Sequence, residues 1–239
     1  MKALVLLSRG LHPVSGKPCL PRADAQAARL AASLNRDAGG LHAGPSCETV
    51  CEALGRGLTQ LTHLRLDGDP VPALVASLRD LKPDVVLAGP RGQGGEDTGL
   101  VPYAVAHALG WPLIPHAVEL EAVDGGLRVT QALPKGARRF VTAPLPVLVT
   151  AHSGAPSPLP FAYGRARAGR IHEREAFSPP AAPDGFETRP YRPRPRVLAA
   201  NVGAHARGRV LINPDPHDAA REILAYLREL GVFGQRSPT

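Results

Sequence analysis

The chain lacks most of the patterns by which enzymes and membrane proteins are identified. It contains neither a GxSxG elbow nor an HExxH or CxxC motif, so no familiar hydrolase or zinc signature is present. No apolar run approaches the roughly 18 residues that a membrane span requires. Because Arg9 interrupts the N-terminal run MKALVLLSRG too early for a signal peptide, we expect a cytoplasmic protein with no membrane span.

Aromatic residues and lysines are also scarce. Aromatics make up 4% of the chain, so a core must be built from Leu, Val and Ala. The net charge of +7 is mostly arginine, which favours acidic partners or phosphates. No stacking-aromatic pattern accompanies this charge, and we therefore expect no nucleic-acid binding. A length of 239 residues suits one large α/β domain, or such a domain with an arm.

The cysteines are few and odd in number. Cys47 and Cys51 stand four residues apart on a predicted helix and could share a metal, whereas Cys19 stands alone. No matching Cys/His pair occurs elsewhere in the chain. The pattern therefore predicts buried or half-buried thiols and no metal site.

Short apolar runs alternate with helical periodicity through the first half of the chain. This order predicts an α/β fold with a doubly wound, mostly parallel sheet. The predicted strands are Lys2–Leu7, Leu41–Ala43, Leu61–Leu66 and Asp84–Ala88. The predicted helices are Asp24–Asn35, capped by Asp24 and closed by Gly39-Gly40; Ser46–Gly57, capped by Ser46; Asp69–Leu81; and Gly99–Leu109.

A glycine-rich loop at 89–98 lies between the fourth predicted strand and the next helix. Strand, glycine-rich loop and helix N-terminus together form an anion site in many α/β proteins, because free backbone N–H groups converge there. The alternative is that these glycines only permit a tight turn. The loops at 8–20 and 43–46 follow two other parallel strands and belong to the same rim, which favours a mononucleotide pocket.

The pattern changes after Trp111. Strands at Val118–Ala122, Leu127–Ala132, Arg138–Val141 and Pro146–Thr150 are separated by hairpin-type turns, which predicts an antiparallel hairpin extension. The chain then becomes loop-like. Ser178–Pro195 is rich in Pro and Arg and is interpreted as an arm, Arg196–Val202 as a strand, and Asp215–Leu230 as a C-terminal helix.

Several strings in this order resemble the beta subunit of electron-transfer flavoproteins. The most specific is DVVLAG followed by DTGLVPYAVAHALGWP; DAQAARLAASL, ETVCEALGRG and LEAVDGGLRVTQAL are similar to further parts of that family. The resemblance implies an adenine-nucleotide alpha-hydrolase-like fold. It also implies a heterodimer with an alpha subunit that holds most of an FAD, a structural AMP in this chain, and docking to a flavin-dependent dehydrogenase. No catalytic residue is then needed here.

The resemblance also implies site residues and a division at residue 176. Residues 1–176 would form the nucleotide-binding domain, and residues 177–239 an arm and helix that pack on the partner subunit. The remaining alternative is a stand-alone adenine-nucleotide-binding regulatory module. The implied AMP shell is Leu6, Lys17, Pro18, Cys19, Leu20, Ala43, Gly89, Pro90, Arg91, Gly92, Gln93, Gly94, Gly95, Glu96, Asp97 and Thr98. The implied docking residues are Pro158, Leu159 and Pro160, with Arg165 and Arg167 as steering charges.

Overall fold

The computed structural model describes residues 1–12, 14–91, 99–177, 211–229 and 231. The chain divides into two compact units, Met1–Phe186 and Glu187–Thr239. In the first unit the strands are β1 Ala3–Leu7, β2 Gly10–Leu11, β3 Pro18–Cys19, β4 Gly39–Gly44, β5 Gln60–Arg65, β6 Val85–Ala88, β7 Leu113–Val123, β8 Gly126–Ala132, β9 Arg138–Pro144, β10 Val147–Ala151 and β11 Arg170–Glu175. The helices are α1 Arg22–Leu34, α2 Glu52–Gly55, α3 Pro70–Leu81, α4 Val101–Leu109 and α5 Tyr163–Ala168.

A nine-stranded sheet forms the centre of the first unit. Its order is β11-β5-β4-β1-β6-β10-β7-β8-β9, and β2 pairs with β3 in a separate two-stranded ribbon. The pairs from β11 through to β7 are parallel, while β7–β8 and β8–β9 are antiparallel. The predicted α/β fold with a mostly parallel sheet and an antiparallel extension is confirmed.

The prediction for the last strand of the extension is wrong. Residues 147–151 form β10, which lies between β6 and β7 and is parallel to both. All five residues are buried. Hairpin spacing suggested a local antiparallel partner, but burial on both faces favours a central position in the sheet. β7 serves both parts: its first half pairs with β10 and its second half with β8.

The loop predicted beyond Ala151 also contains regular structure. α5 and β11 lie there, and β11 pairs in parallel with β5 along its whole length. Every residue of β11, RIHERE, is exposed. A polar strand at the edge of a sheet has no apolar alternation, which is why the sequence pattern did not reveal it.

Two predicted helix caps differ in the structure. α1 begins at Arg22 after Pro21, and the carboxylate of Asp24 does not cap it. α2 is only four residues long and begins well after Ser46. Gly39 and Gly40, expected to close the first helix, belong to β4 instead. α3 matches expectation, since the Asp69 side chain accepts a hydrogen bond from the Val71 N–H at its start.

Apolar side chains cover both faces of the sheet. On one face Val5, Leu61 and Val149 pack with α1, and on the other Leu41 and Val86 pack with α3 and α4. The inner parallel strands β1, β6 and β10 are therefore buried on both sides, which suits their continuous apolar runs.

The second unit is described through its helix. α6, Pro216–Glu229, matches the predicted C-terminal helix. The predicted arm at 178–195 and the strand at 196–202 lie outside the described residues. Among the residues that the structure describes, no helix is both long and apolar enough to cross a membrane.

Candidate functional site

A cavity of about 650 Å³ opens at the carboxyl ends of the parallel strands. Its wall includes Arg9 after β1, Pro45 after β4, Asp67 after β5, and Gly89 and Arg91 after β6. The loops of four neighbouring strands thus meet at one edge of the sheet. This is where open parallel sheets bind ligands, next to the point at which the strand order reverses around β1.

The start of α4 completes the wall. Val101 and Pro102, in its first turn, line the cavity. Pro102 has no N–H, but the other N–H groups at a helix start have no partner inside the helix and favour an anion. Arg9 and Arg91 add positive charge to the same wall. This part of the wall can therefore attract an anion, while Asp24 and Asp67 supply carboxyl groups elsewhere in the wall.

Asp24 ties two of the cavity loops together. Its Oδ2 accepts hydrogen bonds from the backbone N–H and the hydroxyl of Ser8, both at 2.7 Å. The backbone N–H of Gly89 is a third donor to the same carboxyl group. Since Ser8 follows β1 and Gly89 follows β6, one side chain of α1 fixes the spacing of both strand ends.

Burial dominates the ionisation of Asp24. The side chain is 1% exposed. Removal from water raises its pKa from 3.8 to about 7, although the hydrogen bonds from Ser8 and Gly89 act in the opposite direction. Near neutral pH, Asp24 is therefore a mixture of charged and neutral forms.

His42 forms another buried part of the wall. Its Nδ1 lies 2.8 Å from the Leu7 carbonyl oxygen, and its Nε2 lies 3.2 Å from that of Ser46. Burial lowers its pKa, so the neutral ring is favoured. The ring stacks on that of His63 in β5, with centroids 5.6 Å apart.

The structure brings part of the expected AMP shell to the cavity. Leu6, Ala43, Gly89 and Arg91 line it. Residues 92–98 lie outside the described residues, and Pro90 is not among the described lining residues. The other part of the expected shell, at 17–20, does not line the cavity itself. It contains β3, which pairs with β2, and the β2 residues Gly10 and Leu11 are in the wall.

Sequence reasoning placed Ser8 in the rim loop at 8–20 but missed Asp24, His42 and Asp67 as cavity residues. Asp24 was interpreted as a helix cap because an acidic residue near a helix start usually has that role. Its partners lie 16 and 65 positions away in the chain, so only the folded sheet brings them together. The available signal was weak: a polar residue directly follows only two of the four predicted parallel strands, Ser8 after Leu7 and Asp67 after Leu66.

Two of the five expected docking residues, Leu159 and Arg165, line a second groove. Leu159 is half-buried, and its carbonyl oxygen accepts a hydrogen bond from Arg56 Nη1 at 3.0 Å. Leu159 and Arg165 line a groove of about 600 Å³ beside Gly57. Pro158 is half-buried, whereas Pro160, Arg165 and Arg167 are exposed.

Comparison with known proteins gives a consistent result. The model of the "Electron transfer flavoprotein domain" family matches residues 18–179. The chain is also similar to an "Electron transfer flavoprotein subunit beta" from Chromohalobacter salexigens, with 34% identity over 256 aligned positions that cover 96% of this chain and 94% of the relative.

Proposed function

Because the chain belongs to the electron transfer flavoprotein family, we propose that it is the beta subunit of a heterodimeric electron-transfer flavoprotein. The observation that carries this proposal is similarity to a named beta subunit along nearly the whole chain. An alpha subunit would hold most of the FAD, which supplies the reversible uptake of electrons. This chain would act in the cytoplasm as an electron carrier for a flavin-dependent dehydrogenase, without catalytic residues of its own.

The cavity supports a structural AMP in this chain. About 650 Å³ lies within the range of small-molecule sites. Arg9, Arg91 and the first turn of α4 suit a phosphate. Asp67 can accept hydrogen bonds from ribose hydroxyls, and the apolar wall around Leu6 and Leu74 suits a base. Asp24 is occupied by its donors Ser8 and Gly89, so its role is to hold the loops.

The nucleotide is tested by denaturing the purified full-length chain and analysing the released small molecules by mass spectrometry. We expect AMP at close to one per chain. Arg91→Gln should lower this ratio, whereas Arg174→Gln, an exposed arginine of β11, should leave it unchanged. A folded sample without adenine nucleotide would refute the AMP proposal and leave the electron-carrier proposal standing.

The heterodimer is tested by expression with and without the alpha subunit. Alone, the chain should be largely colourless; together, the two chains should elute as a yellow 1:1 complex. A stable monomer that ignores the alpha subunit would contradict the proposal and favour the alternative, a stand-alone adenine-nucleotide-binding module.

Dehydrogenase docking is proposed for the segment around Leu159. Pro158 and Pro160 stiffen the backbone on both sides, and the exposed Arg165 and Arg167 would steer an acidic partner in a salt-dependent way. Leu159→Ala should slow electron transfer from the dehydrogenase at unchanged flavin content. Val14→Ala, which truncates an exposed aliphatic side chain outside this segment, is the control. Loss of flavin in Leu159→Ala would instead indicate that Leu159 only packs within its own chain.

A further inference from the structure

Three potential metal ligands meet on the α1 side of the sheet, near its β11 edge. Cys47 follows β4, His63 lies in β5 and Glu173 lies in β11. The Cys47 sulfur, a His63 ring nitrogen and a Glu173 carboxylate oxygen all lie within 4.8 Å of one another. We refer to these three residues as the edge cluster.

Strand register creates the edge cluster. His63 and Glu173 are directly opposite each other in the parallel β5–β11 pair, so their side chains lie on the same face. Glu173 Oε1 is 3.8 Å from His63 Nδ1 and 3.9 Å from Cys47 Sγ. No sequence motif predicts this site, because its three residues come from elements that are far apart in the sequence.

The His63 ring is prepared to act as a ligand. Its Nε2 lies 2.9 Å from the carbonyl oxygen of Gly44, which can only accept a hydrogen bond. Nε2 must therefore carry the proton, and Nδ1 of the neutral ring has a free lone pair. This is the usual arrangement of a metal-binding histidine, in which the second nitrogen donates to a carbonyl or carboxylate.

The lone pair of His63 faces the other two ligands. The side chain is 3% exposed, and Nδ1 is buried without a hydrogen-bond partner among the described residues. Buried polar atoms nearly always have a partner, so an unpaired one that faces a thiol and a carboxylate indicates a missing ligand. At 3.8 Å, Glu173 is too distant to be that hydrogen-bond partner.

We propose that Cys47, His63 and Glu173 form a binding site for Zn²⁺. One sulfur, one imidazole nitrogen and one carboxylate oxygen are the donor types that Zn²⁺ accepts, whereas Mg²⁺ and Ca²⁺ prefer oxygen alone. Tetrahedral Zn²⁺ bond lengths imply ligand separations of about 3.3 to 3.8 Å. The two separations from Glu173 Oε1, 3.8 Å to His63 Nδ1 and 3.9 Å to Cys47 Sγ, need only a small contraction, which the exposed Glu173 side chain can supply. Cys47 and His63 lie within 4.8 Å of each other, and the half-buried Cys47 side chain must move toward the ring for both to bind one ion.

Binding of the ion changes the protonation of one ligand. The Cys47 thiol loses its proton to solvent, and the thiolate together with the Glu173 carboxylate balances the two positive charges. Three protein ligands leave the fourth tetrahedral position to water. The ion fastens β11 to β5 and to the segment after β4.

The test is a zinc titration of the purified full-length chain after treatment with a chelator, with a chromophoric chelator as competitor. One Zn²⁺ per chain should bind. Cys47→Ser and Glu173→Gln should each weaken binding by at least the 10- to 100-fold that loss of an outer partner costs. With Co²⁺ as the probe, the thiolate charge-transfer absorption should appear and should be absent in Cys47→Ser.

Matched controls separate the site from adventitious binding. Cys19→Ser, His172→Gln and Glu175→Gln remove a thiol, an imidazole and a carboxylate outside the edge cluster, and they should leave affinity and the Co²⁺ spectrum unchanged. Circular dichroism verifies that each variant is folded. Absence of a 1:1 complex in the wild-type chain, or equal affinity in Cys47→Ser and Cys19→Ser, would overturn the proposal.

Discussion

Asp24 and His63 are both buried polar side chains, yet their surroundings differ. Asp24 accepts three hydrogen bonds, two from Ser8 and one from Gly89, and its group is complete within the chain. His63 has one nitrogen bonded to Gly44 and the other unpaired among the described residues. The first residue holds the cavity loops in place. The second keeps one buried ring nitrogen available for the proposed zinc ion.

The largest expected effect is a change in the free energy of unfolding with pH, caused by the protonation of Asp24. Its pKa is 3.8 when unfolded and about 7 when folded, so between these values the folded chain binds more protons than the unfolded chain. The free energy of unfolding therefore falls as pH rises through this window, by up to about 4 kcal/mol for a shift of this size. In Asp24→Asn the free energy of unfolding should not show this decrease with pH, because the side chain does not ionise.

Urea unfolding of both proteins near pH 4.5 and pH 7.5 measures the difference. A wild-type stability that rose relative to Asp24→Asn with increasing pH would mean that the hydrogen bonds from Ser8 and Gly89 outweigh burial. The description of Asp24 as a carboxyl group dominated by desolvation would then be wrong.

A smaller effect is expected when the contact between Asp24 and the β6 loop is crowded. A Cβ atom at Gly89 would collide with Asp24 Oδ1 and lie 3.3 Å from the Cβ of Ala23. Gly89→Ala should lower the free energy of unfolding by about 2 kcal/mol, as overpacking does elsewhere. Thermal and urea unfolding measure the loss, and the released nucleotide should decrease with it.

Gly164→Ala is the matched control for this substitution. A Cβ there meets nothing within 4 Å, and the residue lies inside α5. The change should therefore stabilise the chain by about 0.5 to 1 kcal/mol. Equal effects of the two substitutions would show that Gly89 does not limit the approach of Asp24.

The smallest effect is expected at His63 in metal-free protein. His63→Leu removes the hydrogen bond to Gly44 but also removes the buried unpaired Nδ1, and these two changes oppose each other. The free energy of unfolding should therefore change by no more than about 1 kcal/mol. Unfolding in the presence of a chelator measures this value. A loss of stability several times larger would mean that His63, like Asp24, stabilises the fold through partners within the chain.

Added Zn²⁺ should sharpen the contrast. Wild-type protein should be stabilised as the ion binds the folded state, whereas His63→Leu should not respond. If Zn²⁺ stabilised both proteins equally, His63 would not be a zinc ligand, and its unpaired nitrogen would not indicate a binding site.

Local patterns predicted much of the fold. The alternation of apolar runs and amphipathic segments identified β1, β4, β5, β6, α1, α3 and α4, because each of these elements has a periodicity set by its own burial. β10 and β11 were misjudged for opposite reasons. The first is buried by partners distant in sequence, and the second is an exposed edge strand without any apolar face.

The candidate sites show the same limit. Gly89 and Ala43 could be assigned to the cavity because each lies at or next to the carboxyl end of a parallel strand. Asp24 and the edge cluster could not be predicted, since their geometry depends on strand order and register. The two cysteines were interpreted as simple thiols because no second metal-binding pair was visible. The structure instead places a lone histidine and a lone glutamate beside Cys47.

The two outer strands of the sheet have a consequence for solubility. In the described part of the chain, β11 and β9 end the strand order, and their sequences are RIHERE and RRFVTAP. Unpaired backbone groups at an exposed edge can recruit a strand from another molecule, and charged side chains oppose such pairing. Arginines at the start of both strands therefore oppose edge-to-edge aggregation of this sheet.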